Sequence, residues 1–190
     1  MKKKIITAGV DEVGRGCLAG PVVSAAVIFK KGINLSLLKD SKKISFNKRQ
    51  EISNHIKSHS HYAIGLASVE EILDLNILQA SLLSMKRAVE KLPLKPNLTL
   101  IDGNFTPRGL KNCKSIINGD EKVKVISAAS IIAKVYRDNL MIKLSEKFSN
   151  YAWESNFGYG TKAHLDGLKK YGVTSHHRKG FKPVHKILSN

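Results

Sequence analysis

Apolar and polar positions along the chain alternate between two periods. A short β-branched run, Ile5 to Val10, is followed by a second apolar run from Val22 to Phe29 and a third from Tyr62 to Ala67. All three read as strands, and their order suggests an antiparallel meander. Between the last two lies a polar helix marked by Ile52 and Ile56, four residues apart. Ser68 stands three residues before Glu71, the spacing of a capping box, and opens the next helical region. Leu78, Leu82, Met85, Val89 and Leu92 then recur at helical spacing as one stripe for the core, and Pro93 and Pro96 stop it. Leu98 to Ile101 supplies a fourth strand ending in Asp102-Gly103, and Cys113 to Ile117 a fifth ending near Gly119-Asp120. From Ser127 to about Phe148 an amphipathic helix places Ala129, Ile132, Tyr136, Leu140 and Leu144 along one side. A last helix, Thr161 to Tyr171, closes with Lys169, Lys170 and Gly172, as a helix C-terminus should.

Length changes this picture little: 190 residues suit one domain with a sizeable core. We divide it into a core, residues 1–148, and a basic helical extension, 149–190, packed on that core as one functional unit. Charge changes it more. With 32 Lys and Arg against 15 Asp and Glu, the formal net charge is +17, which makes nucleic acid the leading partner and an anionic membrane surface the alternative. The extension from Ser155 onward holds seven Lys and Arg against one acid, Asp166, and reads as a clamp on a polyanion. No apolar stretch approaches the roughly 20 residues that span a bilayer. Lys2, Lys3 and Lys4 precede only a six-residue run that meets Asp11 and Glu12, which is no secretory signal. A cytoplasmic monomer is expected. Cys17 and Cys113 have no partnered spacing, which fits a reducing compartment and excludes a Cys-rich zinc site.

Candidate chemistry begins where the first strand ends. Asp11 and Glu12 run directly into a loop containing Gly14, Arg15, Gly16 and Gly20, so two carboxylates lie beside bare amides and a guanidinium. That combination offers metal ligands next to an anion cradle. Neighbouring side chains on a regular strand point to opposite faces, so the backbone is expected to turn at Glu12 if both acids serve one cluster. The glycines also resemble a dinucleotide fingerprint, but the spacing is one residue too long and a strand follows where that motif requires a helix.

Most acids have a base three or four residues away on a predicted helix: Glu51 with Lys48, Glu90 with Lys86, Asp138 with Lys134, Glu146 with Lys143, and Asp166 with Lys162. Asp11, Asp102 and Asp120 instead follow strand-like runs beside glycine, and Glu12 adjoins Asp11. Strand ends gathered at one sheet edge would bring the four together. They would repel one another unless a cation neutralised them. Oxygen-only ligands favour Mg2+ or Mn2+ over zinc, and two such ions perform phosphodiester hydrolysis. Taken singly, Asp102-Gly103 and Gly119-Asp120 are also ordinary turn dipeptides.

The opening motif, Asp11-Glu12-Val13-Gly14-Arg15-Gly16 followed by Gly20-Pro21, resembles the ribonuclease HII family. The resemblance continues through Asp40-Ser41-Lys42, Leu100 to Asn104, Gly119-Asp120, Ser127 to Asp138, Gly158 to Thr161 and His177-Arg178, in matching order along nearly the whole chain. The related ribonuclease HIII group usually lacks the Arg between the two glycines and carries an N-terminal extension, so HII is the better match. The resemblance implies an α/β, ribonuclease H-like fold: a mixed five-stranded sheet flanked by helices, with a C-terminal helical extension. It implies that Asp11, Glu12, Asp102 and Asp120 hold Mg2+ or Mn2+, two ions in the active complex, and that Gly14, Arg15 and Gly16 grip the 2′-hydroxyl and phosphate of a ribonucleotide. It further implies that Tyr159 stacks beneath the deoxyribose 3′ of the ribonucleotide, that Ser41, Lys42 and Lys43 contact phosphate, and that Ser130, Lys134 and Arg137 support the site or the phosphates.

The activity so implied is cleavage of the RNA strand of an RNA–DNA hybrid, and cutting 5′ of a single ribonucleotide embedded in duplex DNA. Two rivals stand beside it: a nuclease or strand-transfer enzyme of the same fold that ignores the 2′-hydroxyl, and a non-catalytic nucleic-acid-binding protein whose acids fill turns. No sliding-clamp peptide is assigned after Ile187 and Leu188.

Overall fold

The computed structural model describes residues 5–38 and 45–189. Five strands, β1 (Thr7–Val13), β2 (Val22–Phe29), β3 (Ser60–Ala67), β4 (Leu98–Asp102) and β5 (Cys113–Ile116), form one sheet in the order β3-β2-β1-β4-β5. The first three make the expected antiparallel meander, with Asp11 opposite Ala25 and Val23 opposite Leu66. β4 and β5 add in parallel on the other side of β1, with Val10 opposite Ile101. A parallel neighbour needs a crossover, and the helix between β3 and β4 supplies it.

Helices cover both faces. α1 (Phe46–Ser58) and α4 (Lys124–Ser145) lie on one, where Ala25 and Val27 meet Ile52, Ile56, Ala129 and Ile132. α2 (Val69–Glu90) lies on the other, where Val10, Ala26 and Ile101 meet Met85, Ala88 and Val89. The alternation of Ala25, Ala26 and Val27 between the faces is the period of a strand buried on both sides. α4 comes so close to β1 that a Cβ on Gly9 would strike the Val125 backbone. That contact seats the start of α4 against the central strand.

The extension is built from short pieces: α5 (Trp153–Asn156), α6 (Lys162–Tyr171, with Thr161 as N-cap) and α7 (Lys182–Leu188). Tyr151, Trp153, Leu168 and Val184 bury themselves against Leu18, Ala19 and Met141, so this segment packs on the glycine loop and on the end of α4. Among the described residues no helix is long and apolar enough to cross a membrane.

Several expectations need correction. β1 does not turn at Glu12 but stays paired to β2 through Val13. α4 begins at Lys124 rather than Ser127 and ends at Ser145. Its buried face is wider and turned from the expected stripe: Tyr136 is exposed, whereas Ile131, Val135, Arg137 and Asp138 are buried. The reason is tertiary, because α4 touches the sheet, α1 and the extension at once. α2 keeps its capping box, with Ser68 accepting from the Glu71 amide and Glu71 accepting from the Ser68 amide. It is nevertheless two helices joined at Asn76, whose positive φ of 66° breaks the ladder. The Asn76 side chain accepts from the amides of Leu78 and Gln79, starting the second half as an N-cap would.

Candidate active site

Asp11 and Glu12 leave β1 on opposite sides. Val13 packs with α4 and Val10 with α2, so alternation puts Asp11 on the α4 side and Glu12 on the α2 side. One carboxylate oxygen from each of Asp11, Glu12 and Asp102 nevertheless lies within 4.8 Å of the others. Two features permit this without a turn. The paired register of β4 ends opposite Val10, which leaves room beside β1 beyond that point, and Glu has one more methylene than Asp with which to come round the strand.

Each acid is held differently. Asp11 is almost fully buried and accepts from the Glu12 amide at 2.7 Å. Burial, and then the neighbouring Glu12 carboxylate, push its pKa well above the usual carboxylate range, while a hydrogen bond from Ser130 pulls it partly back. Burial also raises Glu12, opposed by Arg15, whose guanidinium donates to Glu12 Oε1 at 3.2 Å. The other oxygen, Glu12 Oε2, is buried without a hydrogen-bond partner. Asp102 accepts at Oδ1 from the amides of Gly119, 2.6 Å, and Asp120, 3.2 Å, at the start of the short helix α3 (Gly119–Lys122). Asp120 is therefore tied to the site through its backbone, while its carboxylate stands outside the close trio.

The glycine loop is shaped by two buried arginines. Arg137 gives its guanidinium to the carbonyls of Pro21, Phe157 and Ala19 at 3.0, 2.7 and 2.8 Å. Gly14 has φ of 94°, and any Cβ there would collide with the Arg137 side chain. Arg178 reaches from the extension to the carbonyls of Gly20 and Arg15, both at 2.9 Å. Arg137 is fully buried, and its guanidinium is spent on carbonyls that shape the loop. Arg178 is likewise buried, whereas Lys162, Lys169, Lys170, Lys179, Lys182 and Lys186 of the extension are exposed. Gly16 has open space around it, and the Arg15 side chain is about half exposed at 49%.

Next to the acids lies a cleft of ≈ 340 Å³ lined by Glu12, Val13, Arg49, Ser130, Ile131, Lys134 and Tyr159. Tyr159, 40% exposed, forms part of its wall. Behind that residue is a run of buried rings: His164 Nδ1 donates to the Tyr159 carbonyl at 2.9 Å, and Trp153 Nε1 donates to His164 Nε2 at 3.0 Å. Because Nδ1 faces a carbonyl it carries the proton, which makes Nε2 the acceptor for His177 Nε2 as well, at 3.1 Å. His177 Nδ1 accepts in turn from the Thr174 amide at 3.0 Å. Both imidazoles are thereby fixed as neutral tautomers, and burial lowers both pKa values, that of His177 to about 3.

The structure thus brings Asp11, Glu12, Asp102, the Gly14 to Gly16 loop, Ser130, Lys134 and Tyr159 to one edge of the sheet. Ser41, Lys42 and Lys43 lie outside the described residues. Sequence reasoning missed Arg49, which enters the cleft from α1, and it assigned Asp138 to an ordinary surface pair. Lys134 does donate to Asp138 at 2.8 Å, but Asp138 is 1% exposed and its pKa is raised by burial. The missed signal was position, since Lys134 and Asp138 continue the α4 face that begins at Ser130. Ion pairs join Lys48 to Glu51 and Lys86 to Glu90 as expected.

The family model described as Ribonuclease HII matches residues 8–185. The chain is 56% identical over 185 residues to the ribonuclease HII of Pelagibacter ubique (strain HTCC1062), covering 96% of this chain and 99% of that one. It is 50% identical over 184 residues to the ribonuclease HII of Wolbachia pipientis wMel, covering 96% and 93%. Among solved structures, the ribonuclease H2 of Pyrococcus horikoshii OT3 is similar at a TM-score of 0.80 and 28% identity, over 96% of this chain and 97% of that one. With its mixed five-stranded sheet and flanking helices in the ribonuclease H-like arrangement, the chain belongs to the ribonuclease HII family.

Proposed function

We propose that this ribonuclease H cuts the RNA strand of an RNA–DNA hybrid and also cuts 5′ of a single ribonucleotide embedded in duplex DNA, leaving 3′-hydroxyl and 5′-phosphate ends. The observation that carries this reading is the adjacency of a carboxylate trio, a glycine loop with open space at Gly16, and a cleft walled by Tyr159.

The residues fit divalent cations. Burial, and then the neighbouring Glu12 carboxylate, raise the pKa of Asp11, and burial raises that of Glu12, so a positive charge beside them favours their ionised forms. Glu12 Oε2, buried without a partner, is an acceptor left for a cation. All-oxygen donors suit Mg2+ or Mn2+. Asp11, Glu12, Asp102 and Asp120 would hold them, with Asp11 shared. Two such ions, when bound, supply activation of the attacking water and neutralisation of charge at the departing 3′-oxygen.

The chain's own groups account for selection. With no Cβ and open space at Gly16, the loop backbone can approach a 2′-hydroxyl closely, and that hydroxyl distinguishes RNA from DNA, while the missing Cβ of Gly14 makes room for the Arg137 side chain that supports the loop. Arg137 and Arg178 hold the carbonyls flanking this loop, so it meets substrate already shaped. Arg15, between the acids and solvent, supplies charge to a phosphate. The Tyr159 ring offers a flat face for a sugar, its backbone fixed by His164.

The test compares the wild type with Asp11→Asn on an RNA–DNA hybrid, with Mg2+, with Mn2+ and with chelator. The account expects metal-dependent hydrolysis by the wild type, and a variant that binds duplex but turns over at least about a hundredfold more slowly. Unchanged turnover would remove Asp11 from the chemistry.

A further inference from the structure

One turn of the extension, Thr174 to Arg178 between α6 and α7, touches both elements to which the proposed function gives the substrate. On one side it holds the glycine loop. The Arg178 side chain donates to the carbonyls of Gly20 and Arg15, the Arg178 amide donates to the Leu18 carbonyl at 2.8 Å, and the His176 carbonyl accepts from the Gly20 amide at 2.8 Å. On the other side it holds Tyr159 through two imidazoles in series. The hydroxyl and amide of Thr174 donate to His177 Nδ1 at 2.9 and 3.0 Å, His177 Nε2 donates to His164 Nε2, and His164 Nδ1 donates to the Tyr159 carbonyl.

Tyr159 needs that hold. It stands between Gly158, whose φ is 85°, and Gly160, so the chain on either side imposes little on the direction of the ring. Direct ties to the glycine loop fix what comes before it: the Leu18 amide donates to the Gly158 carbonyl at 2.7 Å, and Arg137 donates to the Phe157 carbonyl. The Tyr159 carbonyl is held by the Thr161 amide at 2.8 Å and by His164, and through His164 it is tied to the turn that also grips the glycine loop. Both imidazoles are inaccessible to solvent, and all four of their ring nitrogens have partners. An apolar pair would fill the same space without the cost of burying polar rings. What the polar pair adds is direction, because each hydrogen bond of a satisfied network orients the next group.

We infer that His164 and His177 are positioning residues that keep Tyr159 in register with the glycine loop, so that two consecutive sugars are read as one unit and a lone ribonucleotide is cut at one place. The inference rests on the reading under the preceding heading and adds which buried residues set its selectivity. In a continuous RNA strand every nucleotide offers the loop a 2′-hydroxyl, so a slightly misplaced ring still finds a workable register. A lone ribonucleotide offers one 2′-hydroxyl, and a misplaced ring then costs the cut itself.

The experiment measures kcat/KM with Mg2+ on two substrates, an RNA–DNA hybrid and a DNA duplex carrying one ribonucleotide, for the wild type, His164→Asn, His164→Gln, His177→Phe and Thr174→Val. His164→Asn keeps a donor at the position of Nδ1, His164→Gln does not, and His177→Phe breaks the series at its middle. The ratio of single-ribonucleotide to hybrid kcat/KM should fall about tenfold in His164→Gln and His177→Phe and stay within about twofold of the wild type in His164→Asn. Loss of folded protein lowers both rates together and leaves their ratio where it was, so the ratio reports position rather than stability. Thr174 is partly exposed, and Thr174→Val removes the hydroxyl that donates to His177; its ratio should fall in the same direction, and it decides the matter if the imidazole variants do not fold. A ratio unmoved in every folded variant, or one that falls as far in His164→Asn as in His164→Gln, would overturn the inference and leave the proposed function standing. A wild type that cuts the hybrid but spares the single ribonucleotide would overturn the junction reading, and this inference with it.

Discussion

Arg137 and His177 show how far buried polar side chains set the shape of this site. Arg137 is inaccessible to solvent and divides its donors among three carbonyls. Arg137→Met leaves those carbonyls without partners and should cost about 3 kcal/mol or more of folding stability. Chemical denaturation measures it, and a loss below about 1 kcal/mol would mean that the loop does not depend on the guanidinium. His177 predicts a pH effect. Its folded pKa of about 3 lies below the ordinary 6.5, so between those values the unfolded chain binds the extra proton. The stability that goes with the neutral ring is complete above about pH 6.5 and lost as pH falls toward 3. Stability measured from about pH 4 to pH 6 should rise with pH, and His177→Asn should reduce that slope by about one proton. An unchanged slope would contradict the neutral tautomer. The resemblance gave Arg137 a role in supporting the site or the phosphates, but neither its burial nor that of His177 was legible from the spacing of residues along the chain. Burial is a property of the neighbours, and these neighbours lie up to 118 residues away.

Among the elements, those whose signals are local were read well. β2 matches its expected bounds, Val22 to Phe29, because its apolar run is closed by Pro21 and Lys30. α6 is bracketed by its Thr161 cap and Gly172. Ser68→Ala should remove half of the α2 capping box and cost about 1 kcal/mol in a thermal or denaturant melt; no change would mean that Glu71 is held by Arg87 alone, to which it is ion-paired at 2.6 Å. The break at Asn76 was not read, because the apolar spacing continues through it and the cap is made by a residue inside the apparent helix. Glu12 is the other lesson. Strand alternation forbids a shared cluster only for equal side chains on a filled sheet, and at this edge neither condition holds.

For the molecule as a whole, the residue pattern carried the meander, the family resemblance implied the mixed α/β sheet, and of the four acids expected to gather at the strand ends three lie close together, Asp11, Glu12 and Asp102. Neither carried the relation of the extension to the loop, which depends on Arg178 and on Trp153, His164 and His177 packing inward. The formal charge of +17 predicts that binding to duplex weakens steeply with salt through counterion release. A logarithmic plot of affinity against salt should slope by about −0.9 for each phosphate neutralised, and a flat plot would contradict a polyanion clamp. The most direct measurement is cleavage of a DNA duplex carrying one ribonucleotide, beside an all-DNA duplex, in Mg2+ or Mn2+ and in chelator. The account predicts a metal-dependent cut immediately 5′ of the ribonucleotide and none in the all-DNA duplex; equal cutting of both, or binding without any cut, would contradict it.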